Sequence, residues 1–159
     1  MPLNLFIIGP SGSGKSTQAK LIADKFSLTH FSLIGLIQHE IDINSGFGLE
    51  AKTYIERESL VPDSLIFDIV LSKLSALDFK NFIVSGYPRT LNQSRVVEFY
   101  FRKNKLPISA VIYLDGDSSP QVEDSFKQVK EFFTQKKKLI SDTSDQDLIV
   151  KINKINDQQ

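Results

Sequence analysis

Two patterns of apolar positions alternate along the chain. Residues 3–8, "FIVSG" (82–86) and "AVIYLD" (110–115) are almost continuous apolar runs, as expected of strands buried on both faces. Between and after them the period changes to helical. Ala19, Ile22, Ala23 and Phe26 share one face behind the loop 9–14, which predicts a helix there. The spacing also predicts helices over 32–43 and over "LEAKTYIERE" (49–58), with "NSGFG" (44–48) as the break between them. Pro62 and Asp63 open another helix, with Ile66, Ile69, Val70 and Leu74 inward. A further helix is predicted over about 91–103, and one from Pro120 through Phe126, Val129, Phe132 and Phe133. "LIS" (139–141) is a last short strand and "DQDLIVKINKI" (145–155) a last helix. Strands alternating with helices argue for the α/β class, a parallel sheet covered on both faces. No repeat, low-complexity segment or linker interrupts the pattern, so 1–159 reads as one domain.

Composition narrows the possibilities. The 159 residues are 41% hydrophobic and 24% charged, enough for an ordinary buried core. Nineteen basic residues balance nineteen acidic ones, so neither nucleic acid nor an anionic membrane is an expected partner. Without cysteine there is no disulfide, thiolate metal site or cysteine nucleophile. The start "MPLNLFIIG" lacks a basic region, and no apolar stretch approaches the roughly 20 residues that span a bilayer. A cytoplasmic location is expected.

The chemistry begins at "GPSGSGKST" (9–17). Gly9, Gly14, Lys15 and Ser16 satisfy G-x-x-x-x-G-K-[ST], with the required strand before it and amphipathic helix after it. Small residues at Ser11, Gly12 and Ser13 let backbone N–H groups turn inward around phosphate oxygens. The helix start adds the free amides near Ser16 and Thr17. Lys15 contributes a full charge, and the Ser16 hydroxyl is a magnesium donor. Nucleotide phosphate, ATP with Mg²⁺, is the expected ligand. His30 and His39 have no sequence partners for a triad or metal site and read as incidental.

Three stretches, "GPSGSGKSTQAKLIA" (9–23), "AKTYIERESLVPDSLI" (51–66) and "SGYPRTLNQ" (85–93), make the chain resemble adenylate kinases and related nucleoside monophosphate kinases. Their order and spacing match from about residue 3 to 117, and the third is similar to the family's D-G-[FY]-P-R-T-x-x-Q. The resemblance implies a P-loop three-layer fold with a central parallel sheet of about five strands and helices on both faces. It also implies a helical monophosphate-binding insertion at 32–62, and ATP and AMP, or a related monophosphate, as substrates. Lys15 and Arg89 would be catalytic. Arg89 would grip the acceptor phosphate with its planar fork. Gln93 would read the base edge, and Leu60 and Val61 would line the adenine pocket.

The chain also departs from that pattern. Ser85 stands where the family has a magnesium-holding aspartate. In "FSLIGLIQHEI" (31–41), Leu33, Gly35 and Gln38 replace a threonine, an aspartate and a phosphate-binding arginine. The lid expected after 117 is absent, and no arginine follows Arg102. Lys127, Lys130 and Lys136 to Lys138 lack arginine's bidentate fork and read as a solvated face. Asp115, or Asp117, is the candidate to take over part of the magnesium role. Three readings stand: a nucleoside monophosphate kinase with impaired turnover, a nucleotide-binding pseudokinase serving as sensor or interaction module, and a P-loop kinase for a small metabolite. "YPRTLNQ" argues against the third. A protein partner supplying the missing groups is compatible with the first two.

Overall fold

The computed structural model describes residues 2–141 and 143–157. Five strands form one sheet: β1 (Asn4–Ile8), β2 (Thr29–Ser32), β3 (Phe82–Ser85), β4 (Ala110–Tyr113) and β5 (Leu139–Ile140). The order is β2-β3-β1-β4-β5, and every pairing is parallel. Seven helices connect or follow them: α1 (Lys15–Phe26), α2 (Leu33–Asp42), α3 (Gly46–Glu56), α4 (Asp63–Ser75), α5 (Leu91–Lys103), α6 (Pro120–Gln135) and α7 (Asp145–Asp157).

The continuous apolar runs now have a physical cause. Alternate residues of each central strand enter opposite cores. Phe6, Val84 and Val111 meet Ile69 and Leu74 of α4, Val97 and Phe101 of α5, and Phe126 and Phe133 of α6. Leu5, Ile7, Ile83 and Ile112 meet Ala19 and Ile22 of α1, and Leu148 and Ile152 of α7. Both faces are covered, so no strand position can be polar without cost. The expected three-layer α/β architecture is therefore present. Two strand residues, Asn4 of β1 and Ser85 of β3, are polar and buried; Asn4 is fully satisfied by hydrogen bonds. The Asn4 amide donates to the carbonyls of Phe79 (2.8 Å) and Pro107 (2.9 Å) and accepts from the Asn81 N–H (2.9 Å).

Two local readings change. "THFS" is the edge strand β2, which the hydrophobic pattern did not reveal. An edge strand packs against one neighbour only, and none of its four residues is fully buried, so no apolar run was required. "NSGFG" is not a break of five residues. The connection is three residues, 43–45: Asn44 adopts φ 52°, and Ser45 caps α3 by accepting from the Gly48 N–H at 2.9 Å. Gly48 is there for packing: a Cβ would strike the Glu40 carbonyl of α2.

The topology fixes where ligands can bind. The chain leaves β1 to build β2 and β3 on one side, then returns to place β4 on the other. The crevice beyond the carboxyl end of β1, where the winding reverses, is the site such sheets provide.

Candidate active site

The loop 9–14 follows β1 into that crevice. The Ser13 N–H closes a turn on the Pro10 carbonyl at 3.1 Å, and Leu114, just past β4, hydrogen-bonds to the Ile8 carbonyl at 2.9 Å. Gly9 sits so close to this neighbour that a Cβ would strike the Leu114 carbonyl. Gly14 has φ 89°, a left-handed conformation that favours glycine, and it leads directly into α1. Helices α2, α3, α5 and α6 are capped by the side chains of Ser32, Ser45, Thr90 and Ser119. By contrast, α1 has no side-chain cap and no acidic residue in its first turn. Its leading N–H groups are left for a ligand, and the helix dipole favours an anionic one.

A cavity of about 550 Å³ opens beside this loop, lined by Ser13, Gly14, Thr17, Tyr113, Asp115 and Thr143. Ser11, Gly12, Ser16 and Thr17 are exposed, whereas Lys15 is half-buried, with Nζ 3.5 Å from the Pro10 carbonyl. Burial and the nearby Arg89 charge hold the Lys15 pKa below its ordinary value. The Arg89 charge that acts on Lys15, the first residue of α1, comes from the segment after a different strand, β3.

Arg89 lies on the loop from β3 to α5, which begins at Gly86, whose N–H continues the ladder to the Ile7 carbonyl at 2.9 Å. It borders a second cavity of about 610 Å³, lined by Leu33, Ile37, Leu60, Val61, Gln93 and Phe126 among others. Leu60 is 93% exposed at the cavity mouth. Gln93 is 5% exposed, and both ends of its amide are engaged. Its Oε1 accepts from the Arg89 N–H at 2.7 Å, and its Nε2 donates to Asp63 Oδ1 at 2.8 Å. From the other side, the Ser125 hydroxyl of α6 donates to the Arg89 carbonyl at 3.0 Å. Arg89, Gln93, Leu60 and Val61 thus line one cavity, whereas Lys15 lines neither cavity and lies beside the start of the Arg89 loop, its Cε 3.9 Å from where a Cβ on Gly86 would sit.

A family model described as adenylate kinase matches residues 7–147. The chain belongs to the adenylate kinase family. The adenylate kinase of Clostridium tetani is 36% identical over 114 residues, 71% of this chain and 53% of the relative. That of Thermococcus kodakarensis is 39% identical over 119 residues, covering 74% and 53%. That of Synechococcus sp. (strain CC9311) is 35% identical over 123 residues, covering 77% and 67%. The chain spans about half the length of the first two relatives.

Two of the departures from the family pattern, Ser85 and Gln38, have side-chain partners. Ser85 is buried at the end of β3, and its hydroxyl lies 3.1 Å from His30 Nε2. Sequence reading missed this pair, because it exists only once β2 joins β3 in parallel, Ser32 opposite Ser85. Burial, and then the Lys20 charge, hold the His30 pKa below its ordinary value, so the imidazole is neutral at pH 7. Gln38 turns away from the cavity's lining and donates to Asp42 Oδ1 on its own helix at 2.8 Å. The Asp63 carboxylate was also missed; it joins Gln93 and Asn92 across 30 and 29 residues. Only six residues, 114–119, separate β4 from α6. Of the late lysines, Lys130 lies over the Tyr113 ring at 4.5 Å and Lys136 reaches Glu98 at 3.7 Å, so these two are not merely solvated.

Oxygen donors for a hard cation are sparse. Among the described residues no three His, Cys, Asp or Glu side chains gather. The Ser16 hydroxyl at the start of α1 and Asp115 beside Gly14 and Thr17 are available. One hydroxyl and one carboxylate, completed by phosphate oxygens and water, fit the way Mg²⁺ enters nucleotide sites. No helix of the described residues is long and apolar enough to cross a membrane.

Proposed function

We propose that the chain is an ATP-dependent nucleoside monophosphate kinase of the adenylate kinase type, passing the γ-phosphoryl of ATP to AMP or a related monophosphate at a reduced rate. The observation that carries this reading is the presence of two separate cavities, one of about 550 Å³ against the phosphate loop at Ser13 and Gly14 and one of about 610 Å³ lined by Arg89 and Gln93. One cavity adjoins the phosphate loop and would take ATP. The other adjoins Arg89 and would take the acceptor. An acceptor phosphate oxygen bonds to the γ-phosphorus as the bond to the bridging oxygen of ADP breaks, giving two nucleoside diphosphates.

The residues' roles follow from their chemistry. Backbone N–H groups of residues 9–17 and the Lys15 ammonium hold the ATP phosphates. Arg89 anchors the acceptor phosphate through its fork, its loop fixed by Gln93 and Ser125. Leu60 and Val61 cover the acceptor base, and the second amide hydrogen of Gln93 remains for the base edge. Bound with ATP, Mg²⁺ supplies charge neutralisation at the phosphates, with Ser16 and Asp115 the residues that would hold it.

Reduced turnover follows from what is missing. Phosphoryl transfer depends on positioning and charge stabilisation, and one arginine at the transition state is worth about 10³–10⁵ in rate, roughly 4–7 kcal/mol. Arg89 is the arginine that lines the acceptor cavity, and Gln38 occupies an arginine's position. A connection of six residues, 114–119, between β4 and α6 supports the reading that no lid subdomain stands there, in which case ATP would stay open to water and to hydrolysis.

A second reading, a nucleotide-binding module without transfer, is favoured by Ser85 being tied to His30 where the family pattern has a carboxylate. Nucleotide analysis after incubation with ATP, Mg²⁺ and AMP separates the two. Equimolar consumption of ATP and AMP into ADP, abolished in Lys15→Ala, is expected of the kinase. Unchanged AMP beside saturable ATP binding would leave the binding module.

A further inference from the structure

A third large cavity, about 580 Å³, lies on the outer surface of the α4–α5–α6 layer, where none of its lining residues is shared with the two cavities above. We propose that it docks an acidic protein segment bearing apolar side chains, independently of nucleotide.

The lining is unusual for a solvated helix face. Phe67 of α4, Phe99 and Tyr100 of α5 and Phe132 of α6 supply four aromatic rings. Phe67 and Tyr100 stack edge-on at 5.6 Å, so part of the surface is already rigid. Phe99 remains 53% exposed and its neighbour Val96 40% exposed. A pocket for a small molecule encloses most of its ligand; this depression leaves its central ring half in water. An open, aromatic surface of that kind is what protein partners cover.

Charge selects the partner. Arg95, Arg102 and Lys136 line the depression against one lining carboxylate, Glu98, and Lys103 lies at its edge against Phe99; Asp63 and Asp68 line an adjoining cavity on the far side of Phe67 and Val96. The Glu98 carboxylate is already spent, with Arg102 at 3.1 Å and Lys136 at 3.7 Å. Arg102 and Lys103 also lie against the Phe99 ring at 5.5 and 6.0 Å. Arg95 has no hydrogen bond or ion pair among the described residues. In a chain whose nineteen basic and nineteen acidic residues cancel, this is a local excess of cations around aromatic anchors. Aromatic side chains and arginine are the types that dominate interface hot spots. An acidic segment would find charge complementarity at the rim and an apolar seat at Phe99.

The test uses the full chain and a fluorescein-labelled amphipathic peptide with leucine and phenylalanine at i, i+3, i+4 and i+7 and glutamate elsewhere. A second peptide carries lysine in place of glutamate. Fluorescence anisotropy should give saturable, salt-sensitive binding of the glutamate peptide, at least tenfold tighter than the lysine peptide. Phe99→Ala and Arg95→Glu should each weaken it at least tenfold. Lys15→Ala and added ATP should leave it unchanged, which keeps the proposal separate from the kinase reading. Both substitutions lie on the exposed face, and unaltered thermal midpoints would show that the fold is intact. Absence of binding at millimolar peptide, equal binding of both peptides, or full binding by both variants would overturn the proposal. So would a concentration-dependent dimer that dissociates on Phe99→Ala, since the face would then belong to a second copy.

Discussion

Gln93→Met separates two roles for one buried amide. Methionine retains the length and shape of glutamine, so the volume change is small and the loss is almost purely one of hydrogen bonding. Two bonds disappear: the Arg89 N–H to Oε1 at 2.7 Å and the Nε2 to Asp63 Oδ1 at 2.8 Å. A neutral bond contributes about 1 kcal/mol net, and one to a carboxylate about 1.5–3 kcal/mol. Asp63 is only half-buried and keeps its bond from Asn92 at 2.9 Å, so water recovers part of the second term. The expected loss is about 2–3 kcal/mol, which for a domain of this size lowers Tm by roughly 4–12 °C. Calorimetric titration with AMP, GMP, CMP and UMP then reads the functional side. If the amide acts by pinning the Arg89 loop, all four affinities fall by one common factor. If the amide reads a base edge, preference among the four collapses. An unchanged Tm together with lost base preference would refute the pinning account.

Other expectations follow from the same geometry. Gly48→Ala drives a methyl into the Glu40 carbonyl and should cost about 1–3 kcal/mol in urea unfolding despite alanine's better helix propensity. Gly46→Ala, with open space at its Cβ, should be neutral or stabilising by about 0.5–1 kcal/mol; similar costs for both would refute the steric argument. Tyr87 has a buried hydroxyl without a hydrogen-bond partner among the described residues, and its pKa is pushed far up by burial and then by Asp63. Tyr87→Phe should therefore leave Tm unchanged or raise it, and a fall of several degrees would reveal a bond to that hydroxyl. The folded-state pKa of His30 lies below its unfolded value, so the unfolded chain binds the extra proton first. Stability from the neutral imidazole is present above about pH 6.5 and is lost as pH falls through the folded pKa. Urea midpoints measured from pH 7.5 to 5 should drop less steeply in His30→Gln, and identical slopes would count against it.

The sequence by itself determined the sheet's core and the phosphate loop. Continuous apolar runs at β1, β3 and β4 sufficed because each strand is buried on both faces, a condition that leaves its mark on every residue. The phosphate loop was legible for a similar reason: its chemistry is made by neighbouring residues, 9–17, whose backbone turns locally into α1. The family likeness carried Arg89 and Gln93, and their nearness to each other is also local, four residues apart at the start of α5.

Tertiary structure decided the rest. The edge strand β2 needs only one half-buried face, so its composition does not announce it. His30 meets Ser85 only through the parallel register of β2 and β3, and Asp63 meets Gln93 only because α4 packs beside α5. Ser125 reaches Arg89 because the six-residue connection after β4 brings α6 back over that loop. The outer aromatic depression draws on three helices at once. Each of these contacts joins residues far apart in the chain, and its partner is chosen by how elements pack, information that no local window of sequence contains.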